Sequence, residues 1–311
     1  MPRPGRYWTL RGTLQVDSYP LAGGITVFLI IGLIVVFGSI LAGYVLHHGN
    51  VLVLWQWTEF IIIGGAGLGA YIVGNPPSIL KATLSQTLAL LKPTPYSDKA
   101  YSELLQVLYD VFQKARKDGL VGLEPHIEEP EKSDIFKKYP HFMKQHHAMS
   151  FLADTLKVLL TGTIENHHLA DILETDLEQH NEESLAVAHA VRTVGDAMPG
   201  FGIIAAVLGV IITMGKIGGD PSGVGESVAA ALVGTFLGIL LCYGVLAPMA
   251  NAMELRARAE HSYMNCIRTA ILAFARGDSP MTAVEFARRN IEPNERPSFS
   301  ALEQMTRKRA A

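Results

Sequence analysis

The sequence predicts an all-α integral membrane protein with four transmembrane helices, a helical cytoplasmic domain between helices 2 and 3, and a helical cytoplasmic C-terminal tail. Three observations predict this architecture. Apolar residues make up 49% of the chain and charged residues only 18%, whereas soluble domains carry about 25% charged residues. Charged residues are absent from four long stretches. The segments between these stretches show helical periodicity and no strand-like alternation.

Segments without Asp, Glu, Lys or Arg locate the membrane spans. They run from Ser18 to Thr58, Phe60 to Leu80, Ala197 to Gly215 and Ser227 to Met253. Each can hold an apolar helix of about 20 residues, which crosses a hydrocarbon core about 30 Å thick. The alternative is burial in a soluble core, which four such helices in one chain disfavour. The first segment and the start of the second must hold two helices. We therefore predict spans at Ile25–Leu46, Leu54–Val73, Pro199–Ile217 and Ser227–Pro248.

Basic residues near the span ends predict the orientation, because lysine and arginine favour the cytoplasmic side. The loop between spans 1 and 2 carries no basic residue, and the loop between spans 3 and 4 carries only Lys216. Both termini are therefore predicted to be cytoplasmic, in a protein that crosses the membrane four times. The basic residues on the predicted cytoplasmic side are Arg3, Arg6, Arg11, Lys81, Lys92, Arg192, Arg256, Arg258, Arg268 and Arg276.

The predicted organisation has five parts. Residues 1–24 form a cytoplasmic leader, 25–74 hold transmembrane helices 1 and 2, and 75–196 form a cytoplasmic helical domain. Residues 197–250 hold transmembrane helices 3 and 4, and 251–311 form a cytoplasmic C-terminal helix and tail.

Helix signals define the cytoplasmic segments further. Ser97 is a candidate N-cap and Gly119 a candidate C-cap of one helix. A second helix is predicted from Phe142 to Leu160. A third starts after Asn166 and runs toward the third span, with an interruption at Pro199. The C-terminal region is predicted to be helical to Ala275, followed by a helix over Thr282–Arg289 and a tail.

Several classes of function are disfavoured by the sequence. The net charge is −3, which gives no indication of nucleic-acid binding. Two cysteines are too few for a disulfide framework. No nucleotide-binding glycine motif, nucleophile elbow or metal-spaced Cys/His set occurs, so we expect no enzyme, cofactor or metal. The neighbouring histidines are interpreted as helix-surface residues, with a metal site as the disfavoured alternative; they are His141, His146, His147, His167 and His168.

Small residues form a strip along each of the last two spans, and such strips allow helices to approach closely. Two interpretations remain open: helix packing within one subunit, or docking of a partner helix at an ion path. An ion path needs ionisable groups at depth. Spans 1, 3 and 4 carry no carboxylate, and Glu59 lies near the outer end of span 2. If the chain lines an ion path, the titrating carboxylate should therefore come from a partner. The strips are Gly202, Ala206, Gly209 and Thr213 in span 3, and Ala231, Gly234, Thr235, Gly238 and Cys242 in span 4.

From about Ile25 to Gln304 the chain resembles the MotA family of bacterial flagellar stator subunits, within the MotA/TolQ/ExbB superfamily. The most specific matching segments are Pro199–Ala206 (PGFGIIAA) and Val233–Leu241 (VGTFLGILL). Further matches are Thr58–Phe60, Tyr71–Asn75, Ala283–Arg289 and Arg296–Phe299.

The resemblance implies a flagellar motor stator subunit that converts ion flow into torque for bacterial motility and chemotaxis. Such subunits form a ring, held to be a homopentamer, around a MotB dimer within membrane lipid. The MotB helix supplies the ion-binding aspartate, and the ring turns the rotor protein FliG.

The resemblance also implies roles for individual residues. Arg116 and Glu124 match a pair that contacts the rotor, and Pro199 and Pro248 match two mechanistic prolines. Thr235 matches a channel-lining threonine. The predicted ion-path residues are Thr235, Ala206, Thr213 and Gly202.

The transported ion is expected to be the proton. Sodium-driven relatives tend to carry threonine at the position of Ala206, and sodium favours oxygen ligands as other hard cations do. Sodium stays open as the alternative ion.

Two other functions are weighed beside the stator. One is an ExbB/TolQ-like subunit of another ion-driven motor, which four spans and the Arg116/Glu124 segment disfavour. The other is a membrane scaffold without ion flux.

Overall fold

The computed structural model describes residues 21–310 except residues 163, 216–217 and 219–220. The part of the chain that it describes is helical and contains no strand. Four helical segments are long and apolar enough to cross a membrane, as predicted. The α-helices are α1 (Leu21–Leu46), α2 (Trp57–Gly74), α3 (Pro77–Leu90), α4 (Asp98–Asp118), α5 (Glu124–Glu128), α6 (Pro140–Met143), α7 (His146–Leu160), α8 (Asn166–Met214), α9 (Pro221–Ile239), α10 (Ala247–Ala275), α11 (Pro280–Asn290) and α12 (Phe299–Ala310).

The first span begins at Leu21 rather than at Ile25, so the helix includes the last residues of the predicted leader. The rest of that leader, residues 1–20, lies outside the described residues. The second span begins at Trp57 rather than at Leu54, because Val51–Leu54 forms a separate 3₁₀ turn. The side chain of Asn50 accepts a hydrogen bond from the backbone N–H of Leu52 and caps that turn.

Helix α8 is continuous through Pro199, so the predicted interruption at this residue is wrong. Proline removes one backbone donor and crowds the carbonyl four residues earlier, here that of Gly195. Neighbouring helices can hold such a helix together, and α8 packs against α2, α9 and α10 along its length. Its 49 residues span roughly 74 Å. The helix ends at Met214, and the predicted end at Ile217 lies outside the described residues.

Helix α8 forms one long rod. A second long rod is formed by α9, a π-helical segment at Leu240–Leu246, and α10. The π-helical segment ends just before Pro248, which has no N–H to donate. The N–H of Ala247 bonds to the carbonyl of Cys242, five residues earlier. Single π turns inside α-helices are often found at functional sites. The end of α10 at Ala275 agrees with the prediction.

The segment between spans 2 and 3 and the C-terminal segment share one hydrophobic core. In this core the rings of Phe112 in α4 and Phe274 in α10 stack with centroids 4.5 Å apart. Helix α4 has the predicted bounds, with Ser97 and Gly119 as caps. The predicted tail contains α12, whose Leu302 is fully buried in the same core.

Polar contacts tie the ends of the spans to one another. The guanidinium of Arg192 in α8 donates to the carboxylate of Glu254 in α10 at 2.8 Å. Arg256 donates to the carbonyl of Ala89 at the end of α3 at 2.5 Å. The hydroxyl of Thr26 in α1 donates to the carbonyl of Lys92 at 2.9 Å. These contacts join α8 to α10, α10 to the end of α3, and α1 to the segment just after α3.

Candidate functional site

Helices α8 and α9 approach so closely that their backbones touch. A Cβ added to Gly202 would lie 2.8 Å from the carbonyl oxygen of Gly234 and 3.2 Å from the Cα of Thr235. A Cβ added to Gly238 would lie 2.5 Å from the carbonyl oxygen of Met198 and 3.0 Å from the Cα of Gly202. Small residues are therefore required at these positions by packing within one chain.

The same close contact continues toward the ends of the two helices. A Cβ on Gly209 would lie 2.6 Å from the Cβ of Ala231. Thr213 is buried, and its hydroxyl donates to the carbonyl of Gly209 at 2.8 Å. The two predicted small-residue strips therefore face each other. This contact between α8 and α9 explains the glycines, so no partner helix is needed to explain them.

The four predicted ion-path residues divide into two groups. Gly202 and Thr213 are buried, Gly202 in the contact with α9. Ala206 and Thr235 are only half-buried, so each keeps a surface that another helix can contact. The structure brings Gly202 directly against Thr235, whereas Thr213 lies about 10 Å along α8 from Ala206.

The two predicted mechanistic prolines, Pro199 in α8 and Pro248 in α10, lie close to one contact between the two antiparallel long rods. A Cβ on Gly195, one turn before Pro199, would lie 3.0 Å from the Cβ of Leu246. Leu246 is two residues before Pro248. Both prolines are half-buried, and each falls where a long rod leaves its predicted span.

Glu59 has a position that the sequence did not predict. Its side chain is only 5% exposed, and its Oε2 has no hydrogen-bond partner among the described residues. A Cβ on Gly234 would collide with this oxygen, so the carboxylate lies against α9 beside Thr235. The sequence identified Glu59 as a carboxylate within a span, but its contact with α9 depends on tertiary packing.

Arg116 and Glu124 lie on either side of a tight connection between α4 and α5. Gly119 ends α4 with a φ of 78°, a conformation that favours glycine. The 3₁₀ turn Leu120–Leu123 follows. Arg116 and Glu124 are exposed. The connection is anchored by a set of fully buried residues, which are Phe112, Leu123 and Ile127.

An ion pair and a histidine lie beside this connection. The hydrogen bond from Lys114 holds the pKa of the Asp118 carboxyl below its usual range. Burial lowers the pKa of His126, whose Nδ1 lies 2.9 Å from the hydroxyl of Ser133. The lowered pKa favours the neutral form of His126. Arg116 and Glu124 have opposite formal charges, and both are exposed.

Val121 was missed by sequence reasoning. It lies between the two charged residues, and 71% of its side chain is exposed. Protein contact surfaces commonly have an apolar centre and a polar rim. The amphipathic periodicity could not reveal it, because the residue lies in a 3₁₀ turn rather than on a helix face.

Comparison with known proteins places the chain in a family. The family model described as Motility protein A N-terminal matches residues 30–119, and the MotA/TolQ/ExbB proton channel family model matches residues 143–266. The chain is 36% identical over 279 residues to Motility protein A of Salmonella typhimurium, covering 90% of this chain and 95% of that protein. The chain belongs to the motility protein A family.

Other relatives agree with membership of the motility protein A family. Chemotaxis protein LafT of Vibrio parahaemolyticus is 36% identical over 273 residues, covering 88% of this chain and 96% of that protein. A solved structure titled as C. jejuni MotAB matches with a TM-score of 0.72 at 21% identity, covering 87% of this chain and 98% of that one. The structural similarity supports the fold.

The family assignment also bears on the alternative of an ExbB/TolQ-like subunit. The channel-family model includes TolQ and ExbB in its description, so it does not separate the alternatives. The N-terminal model carries the description of motility protein A alone, and its match covers most of the first span, the second span and all of α4. The similarity to motility protein A, which covers 90% of this chain, therefore supports homology to the MotA stator subunit.

Proposed function

We propose that this chain is the larger subunit of a flagellar stator, which forms a proton channel with MotB and applies torque to the rotor protein FliG. The observation that carries the proposal is the extent of the similarity to motility protein A. This similarity includes both helix pairs and the helical domain between them. A torque-generating channel subunit needs no enzymatic chemistry of its own.

The MotB partnership is supported by the surface that the α8–α9 pair leaves open. Thr235 and Ala206 keep accessible surface beside an interface that is otherwise closed by glycines. The predicted spans within these two helices contain no carboxylate, and the carboxylate beside Thr235 is that of Glu59 from α2. A MotB helix docked here would bring its aspartate to this surface.

Assembly into a ring in membrane lipid is supported by the apolar surface of the single chain. Helix α1 has large exposed side chains on several sides, and so does the membrane half of α8. Contiguous apolar surface of this extent belongs against lipid or another subunit. The exposed residues include Phe28, Ile34 and Val35 in α1, and Ile203, Val207 and Ile211 in α8.

The proposed ion is the proton. Ala206 offers no side-chain oxygen, and sodium requires oxygen ligands to replace its hydration shell. Thr235 offers one hydroxyl on the neighbouring helix. A proton needs only a titrating group, and the partner's aspartate would supply it.

The proposed orientation places both termini and the segments 75–196 and 251–311 in the cytoplasm of the bacterial cell. These two segments share one core, so they would act as one rotor-contacting domain. The indole rings of Trp55 and Trp57, which are 57% and 66% exposed, would lie at the opposite membrane interface, where tryptophan is enriched.

The proposed function is tested by deleting the gene for this chain. We expect cells that assemble flagella but do not swim, and swimming that returns when the chain is expressed again. The restored swimming speed should be independent of external sodium and should fall to zero with a proton uncoupler. Normal swimming in a deletion strain without a second stator set would contradict the function. Sodium dependence would overturn the proton assignment alone.

Reversing the charge of Arg116 tests the rotor contact. We expect Arg116→Glu to reduce swimming speed at least fivefold, because complementary charges set the register between protein surfaces. The amount of protein in the membrane and its association with MotB should not change, since an exposed charge contributes little to stability.

Lys144→Glu is the matched control for this change. Lys144 is also exposed and lies in the same helical domain, and we expect its reversal to leave swimming unchanged. An opposite charge reversal on the rotor protein should partly rescue Arg116→Glu. Unaltered swimming of the Arg116 variant, or an equal defect in the Lys144 variant, would count against the assignment.

A further inference from the structure

Three side chains from three helices converge at a place remote from the predicted ion path. They are His147 of α7, His180 of α8 and Glu260 of α10. His180 Nε2 lies 3.1 Å from Glu260 Oε1 and 3.3 Å from His147 Nδ1. His147 Nδ1 lies 3.6 Å from the same carboxylate oxygen. The three atoms therefore form a nearly equilateral triangle.

The dimensions of this triangle fit one face of a tetrahedral metal site. With metal–ligand bonds of about 2.0–2.2 Å, neighbouring ligand atoms of a tetrahedron are about 3.3–3.6 Å apart. An ion slightly out of the plane of the three atoms would lie about 2.1 Å from each of them. A fourth position would remain for water.

Hydrogen bonds alone explain the cluster less well. If His180 Nε2 donates its proton to Glu260, the same nitrogen has no second proton for His147. The separation of 3.6 Å between His147 and Glu260 is too long for a good hydrogen bond. One cation in the centre would satisfy all three atoms at once.

The surroundings favour an ionised carboxylate and an oriented ligand set. Burial raises the pKa of Glu260, but the hydrogen bond from His180, the charges of His180 and His147, and the hydrogen bond from Tyr96 outweigh this effect and lower it. The contact with Tyr96 is of the kind that orients metal ligands from outside the coordination shell. His147 is exposed, which leaves an entry path, whereas the side chains of His180 and Glu260 are only 19% and 23% exposed.

We propose that His147, His180 and Glu260 bind one divalent transition-metal ion of the zinc class, which would join α7 to the two long rods. Two imidazole nitrogens and one carboxylate oxygen are a ligand set that suits zinc and related metals. The expectation of a helix-surface role for His147 is thereby revised. Its neighbour His146 is exposed as well, but it belongs to no such cluster among the described residues.

The test uses the full chain purified with its partner subunit and stripped of metal with a chelator. Zn²⁺ is titrated against a chelating dye, and Co²⁺ is added in a parallel experiment as a spectroscopic probe. We expect one Zn²⁺ per copy of this chain and visible absorption bands typical of tetrahedral Co²⁺. His147→Ala should lower the Zn²⁺ affinity at least tenfold and remove the Co²⁺ bands.

The control is His146→Ala, which removes an imidazole one residue away and should change the affinity less than twofold. Both variants should fold, because both side chains are exposed. Glu260→Gln provides an independent second variant and should also weaken binding at least tenfold. Absence of stoichiometric binding, or equal affinities in the His146 and His147 variants, would overturn the proposal and leave a hydrogen-bonded cluster.

Discussion

Gly238→Ala is expected to force α8 and α9 apart and to abolish swimming. The added Cβ would lie 2.5 Å from the carbonyl oxygen of Met198 and 3.0 Å from the Cα of Gly202. Both obstacles are backbone atoms, so no side chain can rotate out of the way. We expect a loss of stability of about 3 kcal/mol or more, at the upper end of the range for overpacked cores.

The measurement for Gly238→Ala is the thermal unfolding midpoint of the purified protein in detergent, together with swimming speed. Gly43→Ala is the matched control, because nothing lies within 4 Å of a Cβ added there. Alanine is a better helix former than glycine by about 1 kcal/mol, so the control variant should be as stable as the parent or slightly more stable. Equal midpoints for the two variants would disprove the close backbone contact.

Phe112→Ala is expected to produce the second large effect, a destabilisation of the domain formed by α4 and the C-terminal helices. The ring of Phe112 is fully buried and stacks on that of Phe274 with an angle of 5° between their planes. Removing a buried phenylalanine ring costs about 3–5 kcal/mol. The thermal midpoint should therefore fall by several degrees, and less protein should accumulate in the membrane.

Phe299→Ala serves as the comparison for Phe112→Ala, since 52% of the Phe299 side chain is exposed. We expect a midpoint within about one degree of the parent, because exposed substitutions usually change stability by less than 0.5 kcal/mol. A double-mutant cycle with Phe274→Ala should show coupling, since the two rings contact each other. Additive effects would mean that α4 and α10 are not packed as described.

The sequence predicted those features that depend on local pattern. Charge-free segments identified the spans, because an unpaired charge is costly in lipid. Ser97 and Gly119 marked the bounds of α4 because serine is favoured before the first turn of a helix and glycine after the last, although the Ser97 side chain makes no capping hydrogen bond. The small-residue strips left open whether α8 and α9 pack against each other or against a partner helix, and they did not show which glycine meets which.

Other features depend on packing between distant segments and were not predictable from local pattern. Helix α8 runs through Pro199 because three neighbouring helices support it. Glu59 is buried against Gly234 from a helix more than 150 residues away in the chain. His147, His180 and Glu260 come from three helices, and no spacing in the sequence relates them.

The continuity of α8 has a mechanical consequence. Between Leu169 in the domain core and Gly202 at the contact with α9 there is no loop that could absorb motion. This stretch acts as a lever roughly 50 Å long, so a tilt of 5° at the membrane level displaces its far end by roughly 4 Å. A small movement between the spans would therefore be enlarged at the distant domain to about the size of a side chain.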